Sequence, residues 1–297
     1  MKNRILLVAA TSLLAVAPHV QSAQNLSKRA TVAADASVEV SNIEGQVSIT
    51  AWDRNEVELT AMLESDKDTL EFEATEQQVR IKVVRPKHQF RESSDAILTL
   101  KVPQRARVSA QTVSADVTVA GVKGEQRINT VSGEVHTQAY DEPVSLRTVS
   151  GDGTISGTGG KSAVSVTSVS GSTDVSGIRG GFDGQLVSGS LKIDVAAAER
   201  LSLKTISGDI DARAELAPAA RVEMESVSGT IGLRIKAPVD AEFDIESFSG
   251  EIESCFGPKA RDKNAYGPGS ELQFKQGGGS ARVRIQSMSG DISVCDH

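Results

Sequence analysis

Aromatic side chains are scarce in this chain: Phe, Tyr and Trp make up 3% of 297 residues, although 39% are hydrophobic. A thick core packed around rings is therefore excluded. Any interior must be thin and regular, filled by many Val, Ile, Thr and Ala, as the cores of solenoids are. Long apolar runs are missing too. The longest, I-L-L-V-A-A-T-S-L-L-A-V-A-P, has 14 residues and follows M-K-N-R at the start of the chain. A bilayer span needs roughly 20, so stable membrane insertion is not expected. The segment reads instead as a secretory signal peptide, with Ser22 or Ala23 as the last residue removed. No Cys lies near that cleavage site, so a lipid anchor on an N-terminal Cys is not expected either. The protein should be exported, periplasmic or secreted.

An excess of basic charge is also absent. Removal of Lys2 and Arg4 leaves 30 basic side chains against 39 acidic ones, a net charge of −9. Nucleic acid is then excluded as a partner, because phosphate binding needs a basic surface. Histidine is limited in the mature chain to His88, His136 and His297, none at metal-ligand spacing with Cys or an acid. Neither a metal nor a cofactor is expected. Cysteine is limited to Cys255 and Cys295. Two thiols of an exported protein usually pair. A bridge closing a loop of about 40 residues stabilises by roughly 4 kcal/mol in the chain-entropy account.

What the chain has in abundance is a repeat. T-V-S-A at Ser114 is followed by T-V-S-G at Ser132 and Ser150, S-V-S-G at Ser170, L-V-S-G at Ser188 and T-I-S-G at Ser207. S-V-S-G at Ser228, S-F-S-G at Ser249 and S-M-S-G at Ser289 complete nine copies. The spacings are 18, 18, 20, 18, 19, 21, 21 and 40, so one copy is missing or overwritten between the last two. Units such as L-S-L-K-T-I-S-G-D-I-D-A alternate at period two, which is strand-like. About 20 residues hold two or three short strands, too few for a propeller blade, so a β-solenoid with one coil per repeat is expected. Within a coil Leu203, Thr205 and Ser207 share a face, and Ile210 rejoins it only if the backbone bends near Gly208. Strict alternation puts Ile206 outside unless the corner rotates it inward. The Ser and Thr hydroxyls are expected to satisfy the corner backbone.

Before Ser114 the pattern loosens. V-S-N-I-E-G-Q-V looks like a diverged repeat, and the longer alternating strands after it suggest a sheet covering the open end. At the other end C-F-G-P-K-A-R-D-K-N-A-Y-G-P-G-S occupies the doubled gap, and G-G-G-S at 277–280 is expected to be a hairpin turn between flanking strands.

The signal peptide, the early V-S-N-I-E-G-Q-V-S-I-T-A-W-D-R-N-E-V, the serial V-S-G-D-I copies and the late C-F-G-P-K and Y-G-P-G-S segments together resemble the DUF4097 family, whose members are provisionally called adhesins. The resemblance spans about residues 35 to 295. It implies a bacterial envelope or secreted β-solenoid, and it brings no catalytic residues.

Candidate sites are few. The acids after the corner, Asp116, Glu134, Asp152, Asp209, Glu251 and Asp291, form a series that Ser172, Ser190 and Thr230 interrupt. Such a ladder can bind Ca²⁺ or work on polysaccharides, but interrupted it reads as a solvated edge. G-T-G-G-K-S at 157–162 lacks the first Gly of a phosphate loop, because position 155 is Ile155. It equally lacks the nucleophile of a G-x-S-x-G elbow. Lys259, Arg261, Lys263 and Tyr266 place positive charge and an aromatic on the long insert of an acidic protein, the best candidate for partner contact. Trp52, the sole Trp, is expected in core or cap packing rather than as a sugar platform.

Together these features describe an all-β, single-domain β-solenoid with coils of about 20 residues. Residues 1–23 are the signal peptide, 24–105 an N-terminal β cap with diverged first coils, and 106–297 the solenoid, with an irregular insert at 255–280 and a disulfide-fastened C-terminal end. The expected role is a non-catalytic binding, adhesin-like or structural element of the envelope, with an envelope or extracellular protein or polysaccharide as partner. The alternative is a polysaccharide-processing lyase or glycosidase on a β-helix scaffold.

Overall fold

The structure, a computed structural model, describes residues 23–86, 94–263 and 268–296. The expected signal peptide, His88, Tyr266 and His297 fall outside the described residues, as does most of the segment after Pro86. Every regular element among them is a strand, 22 in all. None of them is a helix long and apolar enough to cross a membrane.

The first seven strands are β1 (Gln24–Thr31), β2 (Ser37–Trp52), β3 (Glu56–Leu63), β4 (Thr69–Ala74), β5 (Gln78–Val84), β6 (Ala96–Pro103) and β7 (Arg107–Ala120). The repeats then supply β8 (Gln126–Thr130), β9 (Val135–Ala139), β10 (Val144–Thr148), β11 (Gly153–Gly157), β12 (Lys161–Ser168), β13 (Ser172–Leu186), β14 (Ser190–Thr205) and β15 (Asp209–Ser226). The last are β16 (Ile231–Ile235), β17 (Ala241–Ser247), β18 (Ile252–Ser254), β19 (Arg261–Asp262), β20 (Ser270–Gln276), β21 (Ala281–Ser287) and β22 (Ile292–Cys295).

Each repeat pairs in parallel with its neighbours one period away. Leu203 lies between Gly184 and Met224, and Ala212 between Ile193 and Leu233. Two parallel ladders result. One runs through β8, β10, β12 and the second halves of β13, β14 and β15 to β21 and β17. The other runs through β9, β11 and the first halves of β13, β14 and β15 to β16, β22 and β18. Alternation aims every second side chain between them, so Leu203, Thr205, Ile210 and Ala212 are all buried. That core holds the expected Val, Ile, Thr and Ala, joined by many Leu. Three of the seven Phe instead gather at the C-terminal end, where Phe274 stacks on Phe243 at 4.6 Å and Phe256 lies 5.7 Å from Phe243.

The ends do not follow chain order. β2, a full coil, pairs on one side with β5 and β6 and on the other with β7, so the first coil lies second in space. At the far end β21 lies between β15 and β17, and β22 between β16 and β18. The last coil is thus slotted inside the one before it. This revises the reading of the 40-residue gap, in which no copy is missing. The chain lays down the Ser249 coil at the outer position, then returns to fill the space left beneath it.

Antiparallel strands cover both outer strands at the N-terminal end, β5 and β6, and the outer strand β17 at the C-terminal end. β3 pairs with β6, β1 with β3 and β4 with β5, while β20 pairs with β17 and β19 with β20. Parallel edges are thereby kept from templating another chain. G-G-G-S is consequently no hairpin turn: β20 and β21 flank β17 on opposite sides, and residues 277–280 cross over the end of that strand. The crossover wraps Asp240, whose carboxylate accepts the Gly279 N–H at 2.6 Å and whose carbonyl accepts the Ser280 hydroxyl at 3.3 Å. Cys255 and Cys295 are disulfide bonded, joining the ends of adjacent strands where the Cys255 N–H already donates to the Val294 carbonyl at 3.0 Å.

Two outcomes test this architecture. At the Gly290 corner an added Cβ would lie 1.8 Å from the Gly229 carbonyl oxygen. Gly290→Ala should therefore lower stability by about 1–3 kcal/mol through overpacking, read from urea unfolding, and an unchanged midpoint would contradict the close approach. Hydrogen bonding from the Ser280 side chain, then from the Gly279 N–H, holds the Asp240 carboxyl below its usual range. Its contribution is present above the unfolded carboxylate pKa of about 3.9 and is lost as pH falls through the folded value. The Asp240→Asn variant should melt below the parent at neutral pH, and the gap should close in acid. A pH-independent gap would count against the wrap.

Candidate functional site

The corner that recurs between the two ladders is built from four residues with separate tasks. The first, Thr or Ser in most copies, is buried, and in five copies its hydroxyl accepts the N–H of the Gly three residues on. The distances are 3.1 Å for Thr130 and Gly133, 2.8 Å for Thr205 and Gly208 and 2.8 Å for Ser287 and Gly290. The second residue is apolar and points outward. The third, Ser, donates its N–H to the carbonyl of the apolar residue one coil away, at 2.8 Å from Ser207 to Val187 and 2.7 Å from Ser228 to Ile206. Its hydroxyl reinforces the same carbonyl in several copies, as from Ser188 to Val169 at 3.1 Å. The fourth, Gly, turns inward against the neighbouring backbone. At Gly133 close stacking demands Gly, since a Cβ would meet the Ala115 carbonyl oxygen at 2.0 Å, while Gly171, Gly189 and Gly229 also adopt the positive φ of 110°, 102° and 134° that the expected bend requires.

The corner therefore places two successive residues outside, and the apolar one is left in solvent. Val113, Val131, Val149, Val169, Val187, Ile206, Val227, Met288 and Phe248 follow one another up the stack, linked by the serine N–H bonds. They are 42–57% exposed and account for nine of the ten large exposed apolar side chains among the described residues. Isolated exposed apolar residues are ordinary, but a contiguous line of them marks a contact surface. The ridge ends beyond Val113 at Ile43 of β2, whose flanking residues Asn42 and Glu44 pair with Thr112 and Ser114, and Ile43 is partly covered.

The acids two residues after each Ser border one side of this ridge. They are exposed as expected of a solvated edge, yet Asp116, Asp152, Asp209 and Asp291 each have a structural bond. Each accepts the N–H at the same repeat position one coil on, from Glu134, Ser172, Thr230 and Glu251 respectively, at 2.6–2.9 Å. Among the described residues no group of three or more His, Cys, Asp or Glu is arranged to hold a metal ion.

The insert meets the ridge at its C-terminal end. Val227, Met288 and Phe248 form one wall of an open cleft of about 560 Å³, with Pro268, Gly269 and Lys263 opposite. The Lys263 ammonium lies 3.1 Å from Glu246, and its N–H donates to the Gly269 carbonyl at 2.7 Å. Of the four insert residues singled out in sequence, Lys263 lines this cleft. Lys259 and Arg261 are exposed but do not line it, and Tyr266 lies outside the described residues. Lys204, on the opposite flank, holds Glu225 at 3.0 Å, and that hydrogen bond raises its pKa. Trp52 ends β2: its indole N–H donates to the Glu56 carbonyl at 2.8 Å, and Arg54 and Lys101 stand over its ring at 5.1 and 5.5 Å. Arg85 and Asp68, buried beside Glu44 at the opposite end of that strand segment, meet at 3.7 Å, and Arg85 also donates to the Ser94 carbonyl.

The ridge itself escaped the sequence reading. Its signal was available in the apolar second residue of every corner, which falls out of phase with the buried face, but the direction of that residue depended on a corner geometry that alternation alone does not set.

No curated protein matches the chain. Three solved structures resemble it across most of its length. A Clostridium sporogenes protein provisionally named as a cell adhesion protein is 8% identical, covers 93% of this chain and 100% of its own, and has a TM-score of 0.26. A provisionally named adhesin of Bacteroides fragilis is 10% identical, covering 91% and 97%, with a TM-score of 0.30. Another, of Parabacteroides distasonis, is 12% identical, covering 91% and 97%, with a TM-score of 0.34. Likenesses this distant carry no argument about the chain, whereas the Toastrack DUF4097 family model matches residues 31–295 directly. Over nearly its whole length, then, the chain is a member of the Toastrack DUF4097 family.

Proposed function

We propose that this chain is an exported, non-catalytic protein of the cell envelope that acts as a binding, adhesin-like or structural element. We read its two parallel ladders as the faces of a β-solenoid, with residues 24–105 as the N-terminal cap and 106–297 as the stack. The ridge carries the proposal: nine half-exposed apolar side chains stand in one line on a scaffold whose backbone bonds fix their spacing. Such a surface suits recognition by contact, with the insert cleft at its end as a second point of purchase. Export is supported by the charged and apolar N-terminal segment and by the disulfide, a bond that persists in oxidising compartments. The polysaccharide-processing alternative draws no support from the acid edge, where four aspartates bond backbone N–H groups rather than converge on a groove.

Co-sedimentation of the purified mature protein with isolated envelope fractions tests the proposal. The Val149→Asp/Val187→Asp double variant should lose at least tenfold in retention. Its melting temperature should stay near the parent's, because surface substitutions of this kind usually change stability by less than about 0.5 kcal/mol each. Retention equal to the parent's would overturn the ridge as the recognition surface.

A further inference from the structure

We infer that the ridge is a self-association surface, on which a second copy of this chain docks with its stack running in the same direction. The inference rests on the reading of the ridge as a recognition surface and names its partner. Nine rungs at about 4.8 Å spacing make a strip about 38 Å long. With one residue on either flank, the strip is of the same order as the ~800 Å² per partner that a standard interface covers.

The flanks decide the occupant and its orientation. On each rung one side of the ridge shows the residue three before the corner Ser, and the other side the residue two after it. Five of the six edge acids share a rung with a donor-bearing side chain. The pairs are Gln111 with Asp116, Asn129 with Glu134, Arg147 with Asp152, Lys204 with Asp209 and Gln286 with Asp291. A two-fold axis parallel to the ridge sets the donor flank of one copy against the acid flank of the other, rung by rung. Arg147 then faces Asp152 and Lys204 faces Asp209 across the contact, while the amides of Gln111, Asn129 and Gln286 face carboxylates. An antiparallel arrangement would instead set acid edge against acid edge, six carboxylates to a side, which like-charge repulsion disfavours. Two acids stand on the donor flank: Glu246, which shares its rung with Glu251 at the outer end and is held by Lys263 at 3.1 Å, and Glu225, which shares its rung with Thr230 and is held by Lys204 at 3.0 Å. An interface of this kind is isologous and closes at two copies.

The experiment uses the mature chain and two single-cysteine variants. Sedimentation equilibrium over a hundredfold concentration range should give a dimer, and Val149→Asp/Val187→Asp should raise its dissociation constant at least tenfold while leaving the circular dichroism unchanged. Mild oxidation of Val131→Cys and of Val187→Cys should each give a covalent dimer bridged at the introduced residue, mapped by mass spectrometry. Val187 is the central rung and crosslinks in either orientation, whereas Val131 meets its own equivalent only in the parallel one. Bridging at Val187→Cys but not at Val131→Cys would overturn the proposed direction. A monomer at every concentration would overturn the second copy as occupant. If that monomer still co-sediments with envelope fractions through the ridge, the recognition reading stands without self-association. If ridge substitutions change neither measurement, both fall.

Discussion

At eight corners, from Ser132 to Ser289, a serine N–H reaches the carbonyl of the apolar residue one coil away, at 2.7–3.0 Å. That bond fixes the path of the chain where it leaves one ladder for the other. It engages the carbonyl of the apolar residue in the neighbouring coil, whose side chain stands out in solvent. It also puts two successive residues outside, so the alternation shifts by one. Thr205 is inside, Ile206 and Ser207 are outside, and Gly208 is inside again ahead of Ile210. The buried hydroxyl at Thr205 caps the Gly208 N–H, which would otherwise be orphaned in the core. The exposed ridge is thus a consequence of the corner that makes stacking possible.

A stack of parallel coils has two weak points, its ends, and the same device protects both. Each chain-terminal coil is placed second from the end, where both of its edges are paired, and an earlier or later segment takes the outer position. At the C-terminal end, fraying of β22 would have to break two ladders rather than one, which opposes the usual looseness of chain ends. The outer positions are then sealed by antiparallel strands. At the C-terminal end they are also sealed by the Phe243, Phe256 and Phe274 cluster and by the Cys255–Cys295 bridge. The few aromatics of the chain are concentrated where regular coil packing stops.

Much of this was legible in the sequence, for physical reasons. Identical corners demand identical residues, so Thr, Ser and Gly recur at the period of the coil, and the strand period between them is two. The two cysteines of a chain expected to be exported pointed to a single bridge. What was not legible depended on long-range order. The 40-residue spacing between Ser249 and Ser289 is compatible with a lost repeat or with a coil laid down out of turn, since both leave the same gap. The glycines of G-G-G-S fit a hairpin and a crossover equally, and only the position of β17 between β20 and β21 separates them. The outward turn of Ile206 was ambiguous because the corner, not the strand, sets its direction. Lys263 was identifiable as a basic residue on a loop, but its place against Phe248 and Met288 follows from the reordered last coils.

The central claim is that the serine-to-carbonyl bonds form a continuous spine beneath an exposed ridge. Amide hydrogen exchange tests it directly, because those N–H groups sit beside the most exposed apolar residues of the fold. The amides of Ser132, Ser150, Ser170, Ser188, Ser207 and Ser228 should exchange as slowly as those of buried strand residues such as Leu203. Exchange as fast as that of the exposed turn residue Gly159 would contradict the spine, and with it the fixed geometry of the ridge.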